Sequence, residues 1–433
     1  MTNYLIRGMV LPMTGAEDFY PDGEVAVHGD RIAAVGERGA VAGDFRPDRI
    51  IDLPQHVIMP GLINTHTHAA MTLLRGYADD LPLMPWLEKK VWPYEARMSA
   101  ADIYWGSALA LCEMLKSGTT TMVDMYMSQD ETARAVLEAG TRALLARGAI
   151  VPDPETGRKA IEESTALYHK FHNQGNGRIK VLFGPHAPYT CTGEFLREVK
   201  QEADRLGTGM HIHLAETQTE LATIRERYGT TPVRWLESLG FFGGHVIAAH
   251  GVHLDEEEIG LLAQYRVGVA HNPESNMKLS SGTAPIPRLL AAGVAVGLGT
   301  DGASSNNDLD MFGEMRSAAF QQKLVGSPED LKAYTVLEMA TAGGARVVGI
   351  PEIGKLVPGY KADLIAVNMN QPHFYPRFSI LSHLVYCAGG RDVSTAMVDG
   401  RILMEDRCLL TLDEQRICRE VEQRAKRIAA EVQ

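Results

Sequence analysis

The chain has 433 residues, of which 45% are hydrophobic and 22% charged, the proportions of an ordinary globular protein able to bury a sizeable core. A formal net charge of −12 argues against a general nucleic-acid or anionic-membrane binder, since both need basic surface, and leaves a small neutral substrate open. Five cysteines, at positions 112, 191, 387, 408 and 418, form neither a CxxC pair nor a dense framework, which points to reduced thiols in a cytoplasm and away from a cysteine-rich zinc site.

Taken in chain order, the opening MTNYLIRGMVLPMTGAEDFY lacks the continuous apolar stretch of a signal peptide. The first fifty-odd residues read as short strands and turns, in YLIRGMVLP, GEVAVHGDRIAAVGE and RIIDLP. From Val57 the texture changes. Buried β runs are predicted near 57–66, 119–125, 143–151, 180–185, 209–215, 245–250, 267–271 and 295–300, with amphipathic helices between them. One such helix spans Ser99 to Gly118 and ends on a glycine stop; others run over Thr192–Leu206, Asp255–Tyr265 and Asp310–Val325. Eight buried strands, each followed by a crossover, predict an α/β fold with a (β/α)8 barrel over residues 57–350. The longest apolar-plus-glycine run, Leu289 to Gly299, is too short to span a bilayer. After about residue 350 short strands return in GKLVPGYKADLIAVN, SHLVYCAGG and STAMVDGRILMEDRCLL, followed by a charged amphipathic helix over Leu412–Val432. Segments 1–56 and 351–433 are therefore expected to join in one small β-sandwich domain, discontinuous in sequence.

The first barrel strand ends VIMPGLINTHTH. Alternation along a strand turns His66 and His68 to one face, which suits a shared divalent metal or two solvated imidazoles alike. Catalytic groups of such a barrel lie at the C-terminal strand ends, and the other strands can be read against that rule. Strand four ends in GPHAPYT with His186, and strand five reads GMHIHLAET with His211, His213 and Glu216. Strand six ends in AAHG with His250, strand seven in AHNPESN with His271, and strand eight in GLGTDGASSNN with Asp301. Packing alone does not account for ionisable groups at so many buried strand ends.

HxH on the first strand, HxHLAE on the fifth, a histidine on the sixth and TDG on the eighth resemble the amidohydrolase superfamily. Within it, HTHAAMTLLRGYADDLPLMPWLEKKVWPYEARM and the tail GKLVPGYKADLIAVN resemble the 5-methylthioadenosine/S-adenosylhomocysteine deaminases, over essentially the whole chain. The resemblance implies that His66, His68, His213 and Asp301 ligate one divalent metal per subunit. Zinc is expected first, though iron, manganese and cobalt suit the same donors. Members with two metals bridge them by a carboxylated lysine on strand four; here that strand reads VLFGPH and the nearest lysine, Lys180, precedes it. The resemblance further implies hydrolytic attack at C6 of an adenine by a metal-activated water, with Glu216 as proton shuttle. His250 would orient the water and stabilise the intermediate, and Asp301 would share in proton transfer. The HxE…PCxxC ligands of cytidine deaminases are missing.

For substrate, the resemblance places Glu95 on the ribose hydroxyls, a sound diol clamp for a carboxylate. Arg147 and His186 become substrate contacts, with Glu216 and Asp301 at the base, and Arg158 a second arginine reaching the 5′ substituent from its own or a neighbouring subunit. Leu81, Leu83, Met84, Trp86 and Trp92 suit either a cover over a 5′ thioether or ordinary barrel-mouth packing. His211 and His271 are expected to be structural. The reading is a cytoplasmic, homo-oligomeric deaminase of 5′-substituted adenosines. Two alternatives stay open: a deaminase or dechlorinase of a free nucleobase or triazine, which has no use for a diol clamp, and a non-catalytic metal-binding barrel.

Overall fold

The computed structural model describes residues 2–41 and 45–432. Two eight-stranded sheets organise it. The first is built from both ends of the chain: β1 (Tyr4–Val10), β2 (Tyr20–His28), β3 (Arg31–Glu37), β4 (Arg49–Pro60) and four late strands. The second is the barrel: β5 (Leu62–Thr67), β6 (Thr119–Tyr126), β7 (Arg142–Ala149), β8 (Ile179–Pro185), β9 (Met210–Leu214), β10 (Val246–His250), β11 (Gly268–His271) and β12 (Val296–Leu298). The chain then returns to the first sheet with β13 (Leu364–Asn368), β14 (Val393–Val398), β15 (Arg401–Glu405) and β16 (Cys408–Leu409).

Barrel strands follow one another in sequence order and pair in parallel, and β12 returns to β5 where Asp301 N donates to His66 O at 3.0 Å and Thr65 Oγ1 to Leu298 O at 2.9 Å. Helices cover the outside while side chains fill the inside, so a strand such as TTTMVDMY is buried at every position. The first sheet runs β16-β15-β14-β13-β4-β1-β2-β3, antiparallel except where β1 meets β4. It curls around its own apolar cluster, with Ile6, Val25, Ile58, Leu364 and Met397 packed together. Both flanks of the chain meet in that curled sheet.

Two expectations change. SHLVYCAGG, read as a short strand, belongs to the helix Ile380–Tyr386. The run predicted as a single strand over 57–66 is divided: Val57 to Pro60 finish β4 in the first sheet, and β5 begins at Leu62 in the barrel. Gly61 makes the crossing, where any Cβ would run into the Thr120 side chain. Hydrophobic continuity cannot reveal such a division, because the run is buried in both sheets.

Helix ends follow their caps. Ser99 caps Ala100–Lys116 in a capping box with Asp102, Thr192 caps Gly193–Leu206, Asp255 caps Glu256–Gln264 and Asp310 caps Met311–Val325. The terminal helix, Glu414–Val432, buries Ile417, Val421 and Ile428 and is pinned to the first barrel helix by Arg424 and Arg427, at 2.9 and 2.7 Å from Asp102. Among the described residues no helix is long and apolar enough to cross a membrane.

Candidate active site

The C-terminal ends of the barrel strands carry the expected ionisable groups into one buried cluster. His66 Nε2 and His68 Nε2 lie 3.2 and 3.1 Å from Asp301 Oδ1, and His213 Nε2 lies 3.3 Å from His68 Nε2. Donor atoms of His66, His213, His250 and Asp301 all fall within 4.8 Å of one another, so this compact group holds three of the expected ligands with His250, while His68 adjoins it through Asp301 and His213.

Each imidazole is oriented from behind through its Nδ1. His68 bonds Met125 O at 2.5 Å, His213 bonds His186 O at 2.7 Å and His250 bonds Asn276 Oδ1 at 2.9 Å. An oxygen acceptor there fixes the proton on Nδ1 and leaves the Nε2 lone pair free. His66 Nδ1 instead meets His211 Nε2 at 2.7 Å, which gives His211 the hydrogen-bonded structural place expected of it. Asp301 is held the same way: its Oδ2 accepts from Ser275 Oγ at 2.7 Å and Ser305 Oγ at 2.8 Å, leaving Oδ1 to the histidines.

This donor set fits a divalent metal. His66 Nε2 is fully buried yet makes no hydrogen bond, as a ligand nitrogen would stand. Burial lowers the pKa of His66 to about 4 and that of His213 well below the ordinary value, so both are neutral and able to ligate. Burial also opposes charge on His68, but the Asp301 carboxylate outweighs it and pushes that pKa up to about 9. The cluster therefore calls for positive charge beside Asp301. Lys180 points away from this centre and donates to Asn173.

Backbone geometry at these strand ends is unusual. Ala215, His250 and Asp301 have φ of 52°, 75° and 58°, in the left-handed region that non-glycine residues seldom occupy. These turns bring His250, Asp301 and the loop carrying Glu216 over the barrel mouth. Glu216 Oε2 lies 3.9 Å from His250 Nε2, and Ser281 Oγ donates to Oε1 at 3.4 Å. Burial raises the Glu216 pKa, with Asp301 adding to the rise and His250 and Ser281 working against it. That places the carboxyl nearer the range useful for carrying protons at neutral pH.

The cavity above is lined by Glu95, His186, Glu216, His213, His250 and Asp301 on its polar side. Its apolar wall includes Leu83, Trp86, Leu87, Val91 and Trp92. Leu81 and Met84 pack behind that wall. Trp86 is fixed by its indole N–H, which donates to Ala78 O at 3.0 Å. His186 bonds Thr190 Oγ1 through Nδ1 at 3.0 Å, and burial lowers its pKa to about 3, so it meets a ligand as a neutral ring.

Two expected substrate contacts lie elsewhere. Arg147 points out of the cavity towards Glu163, 2.8 Å from Nε to Oε2, because alternation along β7 gives the inward position to Gly148. Arg158 is exposed on the helix Pro154–Phe171. His271 is buried with neither ring nitrogen bonded, and burial lowers its pKa to about 3, so it is a neutral core residue.

The end of β6, given no role from sequence, proves to matter. Tyr126 OH donates to Glu95 Oε1 at 2.5 Å, and Asp124 accepts from Ala69 N at 2.6 Å, just after His68. The signal was present as Asp124 and Tyr126 in MVDMY, two polar groups of equal parity among the apolar Met122, Val123 and Met125 of a buried strand.

Comparison with known proteins agrees with this geometry. The amidohydrolase family model matches residues 57–403. The chain is 66% identical over 429 residues to the 5-methylthioadenosine/S-adenosylhomocysteine deaminase of Desulfitobacterium hafniense (strain DSM 10664 / DCB-2), covering 99% of each chain. It is 53% identical over 430 residues to the protein of the same name from Pelotomaculum thermopropionicum, again covering 99% of each. Among solved structures it is similar to an adenosine deaminase from Xanthomonas campestris with bound zinc, with TM-score 0.94 and 37% identity over 99% of this chain and 98% of that one. It is also similar to a zinc-complexed atrazine chlorohydrolase from Arthrobacter aurescens TC1, with TM-score 0.90 and 25% identity over 98% and 100% of the two chains.

Proposed function

The chain belongs to the amidohydrolase family, and on that premise we propose that it hydrolytically deaminates 5′-methylthioadenosine, S-adenosylhomocysteine and related 5′-substituted adenosines to the inosine analogues and ammonia. The observation that carries this reading is one cavity holding two sets of groups. A histidine–aspartate cluster with Glu216 stands at its base, and Glu95 stands on its wall with one carboxylate oxygen already bonded to Tyr126.

His66, His68, His213 and Asp301 would hold one divalent ion, with zinc the ion we propose. When bound it supplies Lewis-acid activation of water near neutral pH. The protein's own groups do the rest. Glu95 accepts from the ribose hydroxyls, Tyr126 keeping its carboxylate turned to the cavity, and neutral His186 adds a contact beside the sugar. Glu216 carries a proton to N1 of the purine, which makes C6 electrophilic, and then a proton to the departing amine. His250, fixed through Asn276, aligns the attacking water and supports the developing oxyanion; Asp301 takes part in removing the water's proton. The balance is one water consumed and one ammonia released. The apolar wall at Leu83, Trp86 and Trp92 suits a thioether at the 5′ carbon.

The protein is further proposed to act in the cytoplasm, a reading supported by five free thiols, and as a homo-oligomer in which exposed Arg158 would reach the substrate of a neighbouring subunit. The likeness to the atrazine chlorohydrolase gives the triazine alternative its footing, and the Glu95–Tyr126 pair speaks against it.

The test is ammonia release from metal-loaded protein on methylthioadenosine, S-adenosylhomocysteine, adenosine, adenine, guanine and cytosine, with chloride release from a chlorotriazine alongside. Preference for the 5′-thio nucleosides is expected, with one divalent ion per subunit by metal analysis. Activity confined to a free base or a triazine overturns the substrate assignment. Glu216→Gln is expected to keep its metal and lose turnover by about 10²–10⁴-fold; near-normal turnover would remove the shuttle role.

A further inference from the structure

We propose that Glu220 is a positioning residue for Glu216: a buried carboxylate that fixes the backbone on which the proton-carrying side chain stands. The proposal rests on the role given to Glu216 above. Glu216 sits in a short loop between β9, which carries His213, and the helix Gln218–Tyr228. Glu220 lies in the first turn of that helix, its own N–H capped by Thr217 Oγ1 at 3.2 Å. Its side chain turns back over the loop, where Oε1 accepts from Ala215 N at 3.0 Å and Oε2 from Glu216 N at 2.8 Å.

Three features set this apart from an ordinary helix cap. Glu220 is 1% exposed, and no ion pair to a basic side chain accompanies it among the described residues. Burial without a counter-ion pushes the Glu220 carboxyl up to about 8, and the two successive backbone amides that bond its oxygens work against that rise. The second feature is Ala215, whose φ of 52° turns those amides together. The third lies on the other side of the same residue: Ala215 O accepts from Val252 N at 3.0 Å and His253 N at 2.9 Å, in the loop just past His250. The Ala215–Glu216 peptide is thus gripped by Glu220 from the helix and by the β10 loop from across the barrel mouth. Its placement sets where the Glu216 carboxylate stands relative to His213 and His250. Glu220 itself does not line the cavity, so it acts through Glu216 and touches no substrate.

The experiment compares Glu220→Gln, Glu220→Ala and Glu216→Gln with the parent holoenzyme. It measures kcat and KM on methylthioadenosine, metal content, and hydrogen–deuterium exchange of the 215–216 amides. Glutamine keeps the shape and one acceptor oxygen but turns an NH2 towards the second amide. Glu220→Gln is expected to lose about 10–100-fold in kcat, the scale of a misplacement of around 1 Å, with KM and metal content held near parental values. Exchange at 215–216 should quicken while the β9 amides stay protected, and Glu220→Ala should show both effects more strongly. Parental kcat and unchanged exchange in Glu220→Gln overturn the proposal. So does loss of metal in step with activity, which would mark a merely structural residue. Failure of the underlying reading looks different: Glu216→Gln would then keep its turnover, whereas failure of the clamp alone leaves Glu216→Gln inactive and Glu220→Gln active.

Discussion

An imidazole beside a metal has two nitrogens, and the partner of the rear one decides what the front one does. Sequence names His66, His68, His213 and His250 through their strand ends, but not the Met125 and His186 carbonyls or the Asn276 amide that fix their tautomers. Those partners come from other strands and loops, so no local pattern announces them. Tyr126 belongs to the same class. Its hydroxyl holds Glu95 Oε1, and its place at the end of β6 becomes meaningful only when the Trp92–Glu95 turn lies across the mouth. Tyr126→Phe should leave the metal in place and raise KM for the nucleoside by about 10-fold, as loss of one hydrogen bond to a charged group suggests, with kcat changed much less. Steady-state kinetics on methylthioadenosine checks this. An unchanged KM would mean that the Glu95 carboxylate holds its position without the phenol.

Elements were legible where one period dominates. The barrel strands show buried β runs and the helices show their caps, so their bounds fall within a few residues of expectation. Legibility fails where the period is right but the environment is shared. The run over 57–66 reads as one buried strand because both sheets bury it, and only pairing of β4 with β1 and β13 separates its halves. The same alternation that turns His66 and His68 inward turns Arg147 outward, a parity that strand bounds alone leave one residue uncertain. The terminal helix gives a test at this scale. Burial raises the Asp102 carboxyl's pKa, but bonds from Ser99, Arg424 and Arg427 outweigh it and hold the value below the ordinary one. A depressed folded pKa gives stability that is present above the unfolded value and lost as pH falls through the folded one. The helix Glu414–Val432 should therefore loosen below about pH 4, the ordinary carboxylate range. Asp102→Asn should already be loosened at pH 7 and respond less to acid, as followed by hydrogen exchange of that helix.

At the scale of the whole molecule, a barrel and a curled sheet are joined by charge as well as by apolar packing. Arg142, the first residue of β7, donates to Asp363 at 2.9 and 3.1 Å and to Asp399 at 2.6 Å, and all three are largely buried. Removing the cation would leave Asp363 buried without its bidentate partner, while Asp399 keeps Lys361 at 3.5 Å. Arg142→Met should lower stability by about 3–5 kcal/mol, measured by denaturant unfolding, because breaking a buried network costs more than the intact network contributes. The network lies at the N-terminal end of β7, opposite the metal cluster, so kcat of the folded fraction should hold. A matching loss of metal would show instead that the two ends of the barrel are coupled.

The sequence by itself determined the eight-strand order, the joining of the two flanks, and which ionisable residues stand at the strand ends, because periodicity and residue type are local properties. Tertiary structure alone decided which nitrogen each histidine presents, which strand faces point inward, and where the chain leaves one sheet for the other. It also decided that Tyr126 and Glu220 stand behind Glu95 and Glu216. Most of these depend on hydrogen bonds between segments far apart in the chain, and the Glu220 clamp, though local, depends on the left-handed turn at Ala215; neither leaves a periodic trace in the residues themselves.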